Sequence, residues 1–175
     1  MVALDYVVEA RERQIAKNER AYCNIAGNIY TAPVRLVLDT AAMVAAIRSD
    51  AGASRRLLVA ALEQRFTLLV SVALMVEYEA VMTRKQHLAA SKLSAEDVGI
   101  LLDAVASVGE PVRPAFLWRP SLRDADDDMV LEVAVNGQAD AIVTFNRRDF
   151  RPATERFGIE VLLPGAAIKR LGGIS

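Results

Sequence analysis

The chain is poor in the side chains that most often announce chemistry. Its 175 residues include one cysteine (Cys23), one histidine (His87) and one tryptophan (Trp118). A single cysteine permits no internal disulfide and fits a reducing compartment. With no Cys–His cluster, a zinc site of the usual kind is not expected. His87 sits at the end of a polar helical stretch and is not expected to be catalytic. No apolar run approaches the ~20 residues that cross a bilayer. The start of the sequence carries no charged-then-apolar leader, so a cytoplasmic location is the expectation. No ladder of aromatics for stacking bases is evident, and Trp118 and Phe116 read as packing residues. A net charge of −1 excludes a globally basic nucleic-acid binder and leaves only a local basic face.

The apolar share is 53% and the charged share 25%, ordinary for a globular chain long enough to bury a real core. The leading stretch 3–20 spaces Leu4, Val7, Val8 and Ile15 among charges as an amphipathic helix does. We take residues 1–34 as a helical extension and 35–175 as one domain. The domain opens on Arg35-Leu36-Val37-Leu38-Asp39-Thr40, an apolar run that ends abruptly in a carboxylate. Such a run reads as a strand buried on both faces, and ligands in open α/β sheets bind just beyond strand carboxyl ends. The bland alternative for Asp39 is a helix N-cap.

Further strands are expected at 66–70, 141–144 and 159–163. Helices are expected at 40–47, 54–64, 73–83 (capped by Ser71), 94–107 (opened by a Ser94/Asp97 capping box), 129–135 and 165–171. Residues 111–120 read as irregular or a short strand. Strands alternating with helices predict an α/β fold of three layers around a central parallel sheet.

In that fold the acids gather on one edge. Asp39 follows the first strand, and Glu77 or Glu79 lies early in the helix after the second. Asp124, Asp126, Asp127 and Asp128 crowd before the helix leading to the third strand, and Asn146 and Asp149 follow it. At ~100° per residue, Glu77 and Glu79 flank the apolar stripe on opposite sides, so helix geometry does not choose between them. Crowded carboxylates raise one another's pKa unless a cation neutralises them. An all-oxygen donor set points to Mg²⁺ or Mn²⁺, and such an ion suits phosphodiester hydrolysis. The aspartate run has its own bland reading, as charges that favour a helix N-terminus.

Four stretches carry a family resemblance: VLDT at 37–40, SVALMVEYEAVM at 71–82, RDADDDMVLEVA at 123–134 and ADAIVTFNRRDF at 139–150. In order and spacing they resemble the motifs of PIN-domain ribonucleases, most of all the toxin components of bacterial toxin–antitoxin systems. The resemblance spans about residues 35–171. It implies Asp39, Glu77 and Asp128 as catalytic acids, with Asp149 as a fourth ligand and Asp124 or Asp126 in support, and Asn146 as a further metal donor. It also implies a Mg²⁺- or Mn²⁺-dependent ribonuclease with an RNA substrate, a cognate antitoxin protein and a homodimeric state. Arg123, Arg147 and Arg148 are the expected substrate-binding cations, within a looser rim that includes Arg48 and Arg84. Thr40 and Thr144 are expected to hydrogen-bond behind the ligands.

Two positions depart from that pattern. Ala41 stands where the family usually has Asn, and Asn146 where Asp is common. The competing reading is therefore a catalytically weakened PIN-like domain acting as a protein- or RNA-binding module. Ala41 also argues against a haloacid-dehalogenase-like phosphatase, which needs a second Asp there. A receiver domain would need a lysine after the third strand, where this chain has Phe145-Asn146-Arg147.

Overall fold

The structure is a computed structural model describing residues 33–113, 115 and 125–172, with backbone alone at 125–126 and 152–154. The expected leading helix, Cys23, Phe116, Trp118, Arg119, Arg123 and Asp124 lie outside the described residues. Among those described, five strands form one parallel sheet: β1 (Arg35–Leu38), β2 (Thr67–Val70), β3 (Glu110–Pro111), β4 (Ala141–Val143) and β5 (Glu160–Leu162). Their order is β3-β2-β1-β4-β5. The expected three-layer α/β/α architecture is what the chain adopts.

Each long strand is a short run of branched aliphatics with almost no exposed surface. Leu36, Val37, Ala141, Ile142 and Val143 are fully buried. Central parallel strands are covered on both faces, which is why these read as continuous apolar runs. Each fully buried Leu or Val side chain contributes about 1.5–3 kcal/mol. The edge strand β3 is only two residues long and contains Pro111, which a sheet edge tolerates because no ladder donor is needed on its outer side.

The helices are α1 (Thr40–Arg48), α2 (Ala53–Leu62), α3 (Val72–Met82), α4 (Lys85–Ser91), α5 (Ala95–Val108), α6 (Ala125–Asn136), α7 (Arg151–Phe157) and α8 (Pro164–Arg170). Right-handed crossovers place the helices of the outward run β1→β2→β3 on one face and those of the return run on the other. In keeping with this, α2 packs against α5 and α8, while α6 lies across β1, β2 and β4. The Ser71 hydroxyl accepts the Leu74 amide at 3.2 Å and caps α3. The Ser94/Asp97 capping box is complete, each side chain meeting the other residue's amide.

Three elements differ from expectation. Helix α6 begins four residues before the expected Met129, so Asp126, Asp127 and Asp128 belong to its first turn rather than to a preceding loop. Carboxylates are favoured in that turn by the helix dipole, so a run of Asp need not keep a helix from starting. Helices α4 and α7 were not expected. Each has only seven residues, too few for a periodic pattern to stand out, and α4 buries none of its own.

At the amino-terminal edge of the sheet, Arg35 acts as a clasp. Its guanidinium donates to both carboxylate oxygens of Glu110, at 3.1 and 2.6 Å, and to the Gly137 carbonyl at 3.1 and 2.9 Å. The end of α6 comes very close to the sheet here. A Cβ on Gly137 would lie 2.8 Å from Leu69 Cδ1, Val112 Cγ2 and the Val133 carbonyl.

Candidate active site

The chain runs outward from β1 to β2 and β3, then returns to β4 on the other side of β1. The carboxyl ends of β1 and β4 therefore flank the topological switch point, the usual ligand crevice of an open α/β sheet. A cleft of about 570 Å³ opens there.

Asp39 stands at its centre, only 5% exposed. Its amide donates to the Val143 carbonyl at 2.9 Å, extending the β1–β4 pairing by one residue. Its Oδ2 accepts the hydroxyl of buried Thr144 at 2.7 Å. Asp39 holds the N-cap position of α1, yet its carboxylate makes no capping hydrogen bond. The Thr40 and Ala41 amides still act on the carboxylate, so capping accounts for part of its setting and the Thr144 hydroxyl for the rest. Burial pushes the Asp39 carboxyl above the ordinary carboxylate range; the Thr144 hydroxyl and the dipoles of the Thr40 and Ala41 amides act the other way without cancelling it.

Thr144 is also the hinge of the next loop, since its Oγ1 accepts the Asn146 amide at 2.9 Å. The Asn146 side-chain amide in turn donates to Asp149 Oδ2. On the opposite side of β1, the hydroxyl of fully buried Tyr78 donates to the Leu38 carbonyl. Burial and the charge of Asp39 drive the Tyr78 phenol well above its usual range, so it remains a donor.

The acids sort as follows. Glu77 lines the cleft with Asp39, whereas Glu79 lines a separate groove between α3 and α5, so packing separates the two glutamates that helix periodicity could not. Asp127 and Asn146 also line the cleft. Asp128 turns inward and is 1% exposed, and Glu132, one turn further along α6, is similarly buried. Neither Asp128 nor Asp149 lines the cleft. Asp126 is placed by its backbone in the first turn of α6, while Asp124 and Arg123 lie outside the described residues. Arg147 and Arg148 are exposed in the loop after β4 and do not line the cleft; Arg48, Arg84 and His87 do. Asp127 was named only within the aspartate run, without a role of its own, and His87 was expected to have no catalytic part, yet both line the cleft. Only the orientation of α6 and the presence of α4 bring them there.

Asp39, Glu77, Asp127 and Asn146 offer hard oxygen donors and no soft ones, a chemistry that fits Mg²⁺ or Mn²⁺. The raised Asp39 carboxyl fits the same cation, which would favour its ionised form. Among the described residues, no three acidic or imidazole side chains lie close enough to form a preassembled ion cage.

A parallel sheet with an acidic cleft at its switch point defines the class of α/β domains that bind ligands beyond the strand carboxyl ends. The PIN domain profile matches residues 35–148, more than half of the chain. The chain belongs to the PIN domain family, whose members are in general nucleases. No curated protein matches the sequence. Among the described residues, no helix is long and apolar enough to cross a membrane.

Proposed function

We propose that residues 35–175 form a divalent-metal-dependent endoribonuclease domain, preceded by a separate extension, and that the protein is the toxin of a toxin–antitoxin pair. The observation that carries the nuclease reading is Asp39: a buried carboxylate at the switch point, held by Thr144 and facing a cleft shared with Glu77 and Asp127. Asp39, Glu77 and Asp127, which line the cleft, would hold Mg²⁺ or Mn²⁺ with Asn146 as a further donor; Asp128, buried on α6, and Asp149, which accepts the Asn146 side-chain amide, would support them from outside the cleft. When bound, such an ion lowers the pKa of a water and stabilises charge on the phosphoryl oxygens.

The chain's own residues set the geometry. The Thr144 hydroxyl occupies one lone pair of Asp39 Oδ2 and fixes the orientation of the carboxylate. Tyr78 fixes the end of β1 one residue earlier. Glu77 and Asp127 orient the attacking water from the helical walls. An antitoxin protein would block the cleft by covering these acids. A second copy of the chain would pack on the apolar face of α3, where Val72 and Val76 are exposed.

The rival reading, a binding module without activity, draws on Ala41, which lines the cleft without a polar group. Cleavage of single-stranded RNA with Mg²⁺ or Mn²⁺ separates the two. Loss of cleavage in Asp39→Asn and in excess EDTA supports the nuclease. Cleavage that survives Asp39→Asn removes the assignment. RNA binding without cleavage under any metal condition favours the module.

A further inference from the structure

The cleft is bipolar. Besides its acids, the cleft is lined by Arg48 at the end of α1, by Arg84 at the N-cap of α4 and by His87. Among the described residues neither guanidinium makes an ion pair, although three carboxylates line the same cleft. Burial and, after it, the charges of Arg48 and Arg84 hold the His87 pKa below the ordinary value, and all three side chains line the same cleft.

Stability alone does not explain this arrangement. Arg48 does suit the carboxyl end of its helix, a benefit of about 0.3–1 kcal/mol. Arg84 does not: a cation at a helix amino terminus opposes the dipole. Two like charges converging on one histidine also repel. An anion placed between them removes both penalties, and guanidinium forks match phosphate oxygens in a way a point charge does not. His87, kept neutral, adds hydrogen-bonding capacity without a third positive charge.

Resting on the ribonuclease reading, we infer that Arg48 and Arg84, with His87, form a phosphate-gripping wall that holds an RNA phosphate adjacent to the one cleaved at the acids. The wall binds backbone, so it sets affinity and register but not base sequence.

The test is binding of a labelled single-stranded RNA to the full chain in EDTA, followed by anisotropy across a salt series. The proteins compared are the native chain, Arg48→Gln, Arg84→Gln and Arg65→Gln, the last also an exposed arginine, placed just before β2 at the opposite end of the sheet. Each cleft variant is expected to weaken binding about 3–10-fold and to lower the slope of log K against log salt by about 0.7, one single-strand phosphate contact. Arg65→Gln should leave both unchanged. With Mg²⁺ or Mn²⁺ present, the cleft variants should raise KM and leave kcat nearly intact. Asp39→Asn should lose cleavage but keep the native salt slope. Native-like affinity and slope in both cleft variants, with the native chain binding RNA, overturn the wall while the nuclease reading stands. A native chain that neither binds nor cleaves RNA overturns both.

Discussion

Removing one oxygen atom from the core, by Tyr78→Phe, isolates the bond that finishes β1. The phenyl ring stays, so no cavity larger than a hydroxyl opens and the packing contribution is small. The loss is the hydrogen bond to the Leu38 carbonyl. That carbonyl lies beyond the last β1–β2 register pair, Leu36 with Leu68, so the phenol serves it where the ladder has stopped. A buried acceptor left without its donor costs about 1–3 kcal/mol, and about 2 kcal/mol is a fair centre. For a chain of this size each kcal/mol moves Tm by about 2–4 °C, giving an expected drop of about 4–8 °C. Differential scanning calorimetry gives Tm, and urea titration should show a lower midpoint at unchanged slope. Because Tyr78 is held neutral, the difference should be the same between about pH 6 and 8. A Tm within about 1 °C of the native value would show that the carbonyl is satisfied without the phenol, and the reasoning would fail.

Other consequences can be checked alongside. Asp39 is raised in the folded state, so the stability it contributes is present below the unfolded carboxylate pKa and lost as pH rises through the folded one. Asp39→Asn should therefore unfold at a higher temperature than the native chain at pH 7, with the gap narrowing in acid; a less stable variant at pH 7 would refute the burial argument. Gly137→Ala should destabilise by about 1–3 kcal/mol, since its Cβ meets backbone as well as Leu69 and Val112; unchanged chemical denaturation would show that α6 can retreat. Phe145, 53% exposed on the lip of the cleft, offers a face for one base. Phe145→Ala should weaken single-stranded RNA binding by about 1–3 kcal/mol, and equal affinity in the same anisotropy assay would exclude stacking there.

The strands were legible because a doubly buried strand leaves an unbroken apolar run, as in Leu36-Val37-Leu38. The caps at Ser71 and Ser94 were legible because they use local hydrogen bonds that sequence spacing prescribes. Helix α4 left no such trace: with no buried residue it has no stripe, yet it carries Arg84 and His87 to the cleft wall. The same limit applied to the choice between Glu77 and Glu79, and to the separation of Asp127 from Asp128. Neighbours on a helix differ by ~100° in direction, and only the packing of α3 and α6 against other elements decides which faces the cleft. Asp39 was legible by position, but its Thr144 partner could be offered only as an expectation, because the pairing depends on β1 and β4 lying side by side.

That pairing bears on how the protein is made. The two ends of the Asp39–Thr144 hydrogen bond lie 105 positions apart in the chain. At translation speeds of 5–20 residues per second, that gap lasts on the order of 5–20 s. For the last two thirds of that interval a nascent chain already contains Asp39 and Glu77, but β4 is missing and Thr144 is not there to orient Asp39. No single nascent chain can assemble the Asp39 cleft until most of its polypeptide has been synthesised.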